Sequence, residues 1–403
     1  MQHPVKKKMA PVFRAAEGGL FSCVEKADVG ASYQELERQG VALMGWADPF
    51  MPDHSMPEFV EDACAEAARR ESAAHYTAPI GSPELKLAIA EKLRRQNGLD
   101  VDPERNILIT PGSDSGLFFA ILPFIQPGDE VIIPSPSYPN NFLDVRIAGG
   151  VPVAVELKAE NRYQLDPEAL QAAITPKTKM VLLTHPNNPT TTVFNRTSLE
   201  ALSKVIIDND LVLVCDQAFE DFTYENEMIT PAALPGMFER TVTVFSFSKG
   251  MGFSGLRVGY IVCCDSIMDP LFATAVAVVG ATSTAAQQAA TVALQHPGFM
   301  KQFETAYDKR RHRAVEILNS VPGVHVMLPE SGFLCWVDVS ELGDSTEIAA
   351  YLTAEARVSV NDGKNYGQGG AGHLRIVLGV YRDDERVFAA LEAVRDALLR
   401  YKK

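Results

Sequence analysis

Between residues 105 and 265 short β-branched runs keep returning, separated by stretches of helical spacing: Val131-Ile132-Ile133, then 153–155, 180–183, 211–214, 242–245 and 258–262. Runs that are apolar throughout, rather than alternating with polar residues, suit strands buried on both faces, and the helical stretches between them supply the crossovers that parallel strands need. The expected fold class is α/β, with a mostly parallel central sheet and helices on both faces. Asp166 and Pro167 offer a cap and a first residue for one intervening helix, with Leu170, Ala173 and Ile174 at helical spacing; a second runs from Thr197 through Leu199, Leu202 and Ile206. After about residue 295 the rhythm changes to a long charged helix (299–318), two or three strands (324–339) and a closing helix (384–401). A chain of 403 residues can build a large core and a smaller one. The expected division is an N-terminal arm and part of a small domain in 1–54, a large domain in 55–295, and a small α+β domain in 296–403.

Charge narrows the range of partners. With 51 acids against 37 bases the net charge is −14, so the cationic footprint that nucleic acid requires is absent and a small-molecule ligand is favoured. Lys6-Lys7-Lys8 could open a signal peptide, but Pro11, Arg14 and Glu17 interrupt the stretch after it, which reads as a solvated arm. No apolar run approaches the length of a membrane-spanning helix; the longest Ala/Val-rich stretch, near 271–281, is short. Cys23, Cys64, Cys215, Cys263, Cys264 and Cys335 show no metal-type C-x2-C pairing and are expected to be mostly buried free thiols of a cytoplasmic protein. The loose run Gly367-Gln368-Gly369-Gly370-Ala371-Gly372 suits a connection beside a site.

Several strand ends carry residues with chemistry. Ser246-Phe247-Ser248-Lys249 follows an apolar strand, and Arg257-Val258-Gly259-Tyr260 comes eight residues after the lysine. A lysine in a partly dry pocket can act as nucleophile and base, while Ser246, Ser248 and the planar fork of Arg257 can hold a phosphate. Thr110-Pro111-Gly112-Ser113-Asp114 joins an apolar strand to a helical stretch, so the main-chain N–H groups of Ser113 and Asp114 can bind an anion. Asp216 closes the strand Leu213-Val214-Cys215, where a helix cap is the plainer role. Arg375 stands on a strand between apolar neighbours and needs an anion, either a ligand's or a structural carboxylate.

Taken together, S-x-S-K-x7-R-x-G-Y, the Asp216 strand and the loop His185-Pro186-Asn187-Asn188-Pro189-Thr190 resemble the fold type I aminotransferases of the aspartate aminotransferase superfamily, from about Gly45 to the C-terminus. The resemblance implies pyridoxal 5′-phosphate (PLP) bound to Lys249 as an imine, Asp216 beside the pyridine nitrogen and Asn188, 28 residues before it, at the ring oxygen. It also implies Tyr138 stacked on the ring, Ser113, Asp114, Ser246, Ser248 and Arg257 around the phosphate, and Arg375 on the substrate carboxylate. Tyr76 would reach the phosphate of a neighbouring subunit, which makes the active unit a homodimer with shared sites; Tyr76 and Tyr138 could instead be packing residues. Gly45 and Trp46, in a segment that approximates the family's G-x-P-D-F, would lie near the substrate, or Trp46 would pack between domains.

Three departures stand out against that pattern. Phe219 occupies the place of a tyrosine that hydrogen-bonds the ring hydroxyl, His185 the place of an asparagine, and Thr191 the place of a glycine. His185 suits either a plain turn or a place near the ligand. No second arginine is evident for a dicarboxylic substrate. The expected reaction is amino-group transfer between an amino acid and a 2-oxo acid. The same cofactor chemistry directed to elimination, replacement, decarboxylation or cyclisation is the alternative that Phe219, His185 and Thr191 motivate, and a DNA-binding regulator on this fold is disfavoured by the acidic charge.

Overall fold

A computed structural model describes residues 4–15, 31–77 and 80–402. Seven strands form the main sheet: β1 (Ile107–Thr110), β2 (Glu130–Ser135), β3 (Val151–Glu156), β4 (Thr178–Thr184), β5 (Val212–Asp216), β6 (Thr241–Ser246) and β7 (Gly259–Val262). Their order is β1-β7-β6-β5-β4-β2-β3, and β7 alone runs antiparallel to its neighbours. Every apolar run singled out in the sequence becomes one of these strands. Successive residues point to opposite faces, which sends Val131, Ile133, Leu182 and Val214 into one buried cluster and Ile132, Val181, Leu183 and Leu213 into another. Cores on both faces explain why these strands are apolar at every position.

Helices fall between the strands as expected, with two adjustments. After β1 comes α1 (Ser113–Ile121). In α2 (Pro167–Ala172) the Asp166 carboxylate accepts the Glu168 and Ala169 amides, both at 3.0 Å, but the helix ends before Ile174. Helix α3 (Arg196–Asp208) starts one residue before Thr197, because Asn195 is the cap and accepts the Ser198 amide at 2.9 Å. The loops that leave the C-terminal ends of β1, β2, β4, β5 and β6 meet on one edge of the sheet, which is where ligands bind in open parallel sheets.

A second, antiparallel sheet follows: β8 (His325–Val326), β9 (Leu334–Asp338), β10 (Asn361–Asp362) and β11 (His373–Val377), in the order β10-β11-β9-β8. Helices α4 (Met300–Leu318) and α5 (Asp384–Arg400) share its core. The N-terminal segment joins it too. Ala42–Leu43 pairs in parallel with Val358–Ser359, and Met44 and Phe50 are buried with Leu334, Ile376 and Leu391. This shared core supports the division at residues 54 and 295, which we propose as the domain boundaries.

Cys215, Cys263, Cys264 and Cys335 are buried free thiols, Cys64 is partly exposed, and Cys23 lies outside the described residues. Among the described residues no helix is long and apolar enough to cross a membrane. Lys7 and Lys8 are exposed on the arm, as a solvated segment requires.

Candidate active site

At the C-terminal edge of the main sheet a cavity of about 420 Å³ brings together Lys249, Asp216, Asn188, Tyr138, Arg257 and Arg375. Trp46, Ser113, Asp114, Phe219 and Ser248 also line it, so most of the sequence-derived site residues converge.

Lys249 sits in the turn after β6. The Ser246 hydroxyl accepts the Ser248 amide at 3.1 Å, so Ser246 shapes this turn and is not itself on the cavity wall. The Lys249 ammonium donates to the carbonyl of Ala47 and lies 5.9 Å from the Phe219 ring centre. The next residue has to be glycine: a Cβ on Gly250 would stand 1.8 Å from the Asp221 carboxylate. Gly112, before α1, is fixed for two reasons, a φ of +81° and the Arg257 guanidinium, which a Cβ there would meet at 2.3 Å. This contact sets Arg257 beside the first amides of α1, and with Ser248 on the same cavity wall they form a suitable nest for a phosphate.

Asp216 ends β5 and is 4% exposed. Burial pushes its carboxyl up to about 7, with the Asp114 charge adding to the rise; the Ala218 amide, which donates at 3.0 Å, Lys249 and the Thr184 hydroxyl pull the other way. Such a carboxyl is a poor structural anion and a good seat for a cation. Because its folded-state value lies above the unfolded one, this group is neutral in both states in strong acid and lowers stability as pH rises from about 4 to about 7. In the cofactor-free protein Asp216→Asn is expected to be more stable than the parent by a few kcal/mol at pH 8, and by much less near pH 4.5. Urea unfolding of both proteins at the two pH values tests this, and a difference that does not vary with pH would refute it.

Arg375 on β11 is 1% exposed. Its Nε and Nη2 donate to the Asn361 side-chain oxygen at 3.0 and 2.6 Å, Nη1 to Asn188 Oδ1 at 3.2 Å and Nη2 to the Gly45 carbonyl at 2.9 Å. Gly45 therefore serves through its carbonyl, behind the cavity wall. Tyr138 donates its hydroxyl to Asp114 at 3.1 Å and accepts from Asn140 at 3.0 Å.

Some expected residues lie elsewhere. Tyr76 is fully exposed and away from its own chain's cavity. His185 is buried: Nδ1 accepts the Phe194 amide at 3.4 Å, Nε2 faces the Ile229 carbonyl at 3.1 Å, and burial pushes its pKa down to about 4. It is a neutral core residue, not a ligand contact. Thr191 takes a φ of +64°, the left-handed conformation that a glycine at this place would adopt without strain. The Gly367–Gly372 run packs on Ser135, Pro136 and Glu156 and does not line the cavity. Conversely, sequence reasoning missed Asn361, Ala47, Asp48 and Ser254. Ser254 donates to Asp48 at 2.5 Å and both line the cavity, so the N-terminal segment is tied across it. Ala47 and Asp48 belong to the segment that approximates G-x-P-D-F, whereas no local motif marks Asn361 and Ser254, which tertiary contacts alone bring to the site.

Residues 45–394 match the model of the family described as aminotransferase class I and II. The chain belongs to this family. It is 35% identical over 371 residues to the aspartate/prephenate aminotransferase of Thermus thermophilus, covering 90% of this chain and 93% of that one. Among solved structures it superposes on the Thermus thermophilus aspartate aminotransferase with maleate at a TM-score of 0.83, with 33% identity and 91% and 94% of the two chains covered. The aromatic aminotransferase from Pyrococcus horikoshii OT3 superposes at 0.85, with 29% identity and coverage of 91% and 98%. The sequence resemblance is thus upheld in fold and in family, and the chain is an enzyme of amino-group transfer.

Proposed function

We propose that the cavity binds PLP on Lys249 and moves an amino group between an amino acid and a 2-oxo acid. The observation that carries this reading is the convergence of Lys249, buried Asp216 and Arg375, from β6, β5 and β11, on one cavity. The donor set fits the group: an amine on the wall, an acid whose raised pKa calls for a cation, and a phosphate nest between Ser248, Arg257 and α1. When bound, PLP supplies an electron sink for the bond broken at the substrate's Cα.

On this reading the protein's own groups have separate tasks. Lys249 would hold the cofactor covalently and, once displaced by the incoming amine, its freed amine would carry the proton from Cα. Asp216 would hold positive charge at the ring nitrogen, and Asn188 would donate to the ring oxygen without help from Phe219, which has no hydroxyl. The amides of Ser113 and Asp114, with Ser248 and Arg257, would hold the phosphate, and Tyr138 would cover the ring. Arg375, held rigid by Asn361 and the Gly45 carbonyl, orients the α-carboxylate, and Trp46 helps exclude water. The full exposure of Tyr76 supports a homodimer in which it reaches the partner's site. The four buried free thiols suit a reducing cytoplasm.

The test is to load the purified chain with PLP, add an amino acid and a 2-oxo acid, and measure the new amino acid formed. Its appearance in step with consumption of the donor is the expected result. Release of ammonia and keto acid with no new amino acid would replace this reading with elimination, which the missing Phe219 hydroxyl favours.

A further inference from the structure

The charges on the cavity wall do not balance once the ligands just proposed are assigned, and the inference drawn from this rests on that reading. Among the described residues the lining cations are Lys249, Arg257 and Arg375, and the acids are Asp48, Asp114 and Asp216. Lys249 is committed to the covalent link, Arg257 to the phosphate, Arg375 to the α-carboxylate and Asp216 to the ring nitrogen. Asp114 and Asp48 are left over, with no lining cation assigned to them.

Asp48 has a donor in Ser254. Asp114 is the more open of the two, with its side chain 51% exposed; it accepts the Tyr138 hydroxyl at 3.1 Å, while the nearest Arg257 nitrogen stands 3.9 Å away. The other terminal nitrogen of that guanidinium, Nη1, donates to the Ser254 carbonyl at 2.7 Å, so only Nη2 is turned toward Asp114, across a loose pair. Asp144, on the helix Pro139–Ile147, responds to the Asp114 charge: burial first, and then that carboxylate, push its carboxyl up to about 7. With Tyr138 given to the cofactor ring, a substrate side chain that shares the cavity with Trp46 and Asp114 meets an aromatic ring and a carboxylate. Aromatic faces and a carboxylate both favour a cation, and a second carboxylate there would be repelled.

We infer that Asp114 selects the amino donor: the cavity takes amino acids whose side chains end in a cation and turns away those that end in a second carboxylate. Asp114 acts through charge at the cavity wall, a task separate from that of its main-chain amide, which the substitution to asparagine preserves.

The experiment compares kcat/KM of the PLP-loaded enzyme for ornithine, lysine and arginine with that for aspartate and glutamate, in the parent, in Asp114→Asn and in Asp114→Glu. The basic donors should be preferred by the parent. Asp114→Asn should lower the basic-to-acidic ratio on the order of tenfold or more, and Asp114→Glu should keep it. A readout independent of turnover is the affinity of the cofactor-free protein for succinate, followed by tryptophan fluorescence, which Trp46 reports from the cavity wall; it should tighten in Asp114→Asn. Preference of the parent for aspartate or glutamate, or an asparagine variant that moves neither ratio nor succinate affinity, overturns the inference and leaves amino-group transfer standing. If no donor yields a new amino acid, the proposed function falls, and this inference with it.

Discussion

Replacing Lys249 by alanine should lower the rate of amino-group transfer by roughly four orders of magnitude or more, because in the proposed function the variant loses both the nucleophile and the base that carries the Cα proton. The informative companion is Lys249→Arg. In the structure the lysine also has a plain structural role, since its ammonium donates to the Ala47 carbonyl and helps bind the N-terminal segment to the turn after β6. Arginine can keep that hydrogen bond and the positive charge near Asp216, but it cannot form the covalent link. Loss of activity and of the visible absorbance of lysine-bound cofactor in both variants, with unfolding transitions close to the parent's, is the expected result. Appreciable activity in the arginine variant would mean that Lys249 serves as a cation and that the nucleophile lies elsewhere.

Arg310→Met is expected to cost about 3–5 kcal/mol of stability, an effect far larger than most substitutions outside an active site produce. Arg310, on α4, is fully buried. Its Nε donates to Asp384 at 2.8 Å, Nη1 to the carbonyls of Leu378 and Val380 at 3.0 and 2.9 Å, and Nη2 to those of Tyr381 and Arg382 at 3.0 and 3.1 Å. Methionine replaces the volume but leaves four carbonyls without that donor and takes one cation from Asp384. The carbonyls belong to the chain that leaves β11 just after Arg375, so the surviving folded enzyme should show a raised KM for the amino donor with a smaller change in kcat. Urea unfolding and steady-state kinetics measure the two effects. A loss of stability below about 1 kcal/mol would show that water or a shifted backbone satisfies those carbonyls.

Much of the site was legible because the relevant residues sit in short stretches whose local geometry is set by a strand end. Lys249, Asp216 and Asn188 each follow an apolar run, and the sheet carries all three to the same edge once the runs are read as parallel strands. Arg375 was legible for a different reason: a guanidinium between Leu374 and Ile376 has to find polar partners. What those partners are could not be read. Asn361 reaches Arg375 through cross-strand pairing of β10 with β11, and Gly45 does so from the far end of the chain, so neither leaves a trace in local spacing.

His185 shows the limit from the other side. Its place in the Asn188 loop puts it near the site in sequence, but the fold turns its ring inward against Phe194, 5.4 Å between ring centres, where burial keeps it neutral. Ser246 likewise belongs to the lysine motif yet supports the turn from behind.

The sequence by itself determined the α/β class, the faces of the strands, the lysine that reacts in the proposed function and the family, since these depend on the periodicity of apolar residues and on motifs a few residues long. Tertiary structure alone decided how strongly each charge is felt. Whether Asp216 is an ordinary carboxylate or one raised to about 7, and whether Asp114 is a helix-end acid or part of a cavity wall, depends on burial and on neighbours brought in from remote parts of the chain. Electrostatic energy follows distance and dielectric environment, and neither is written in the order of residues.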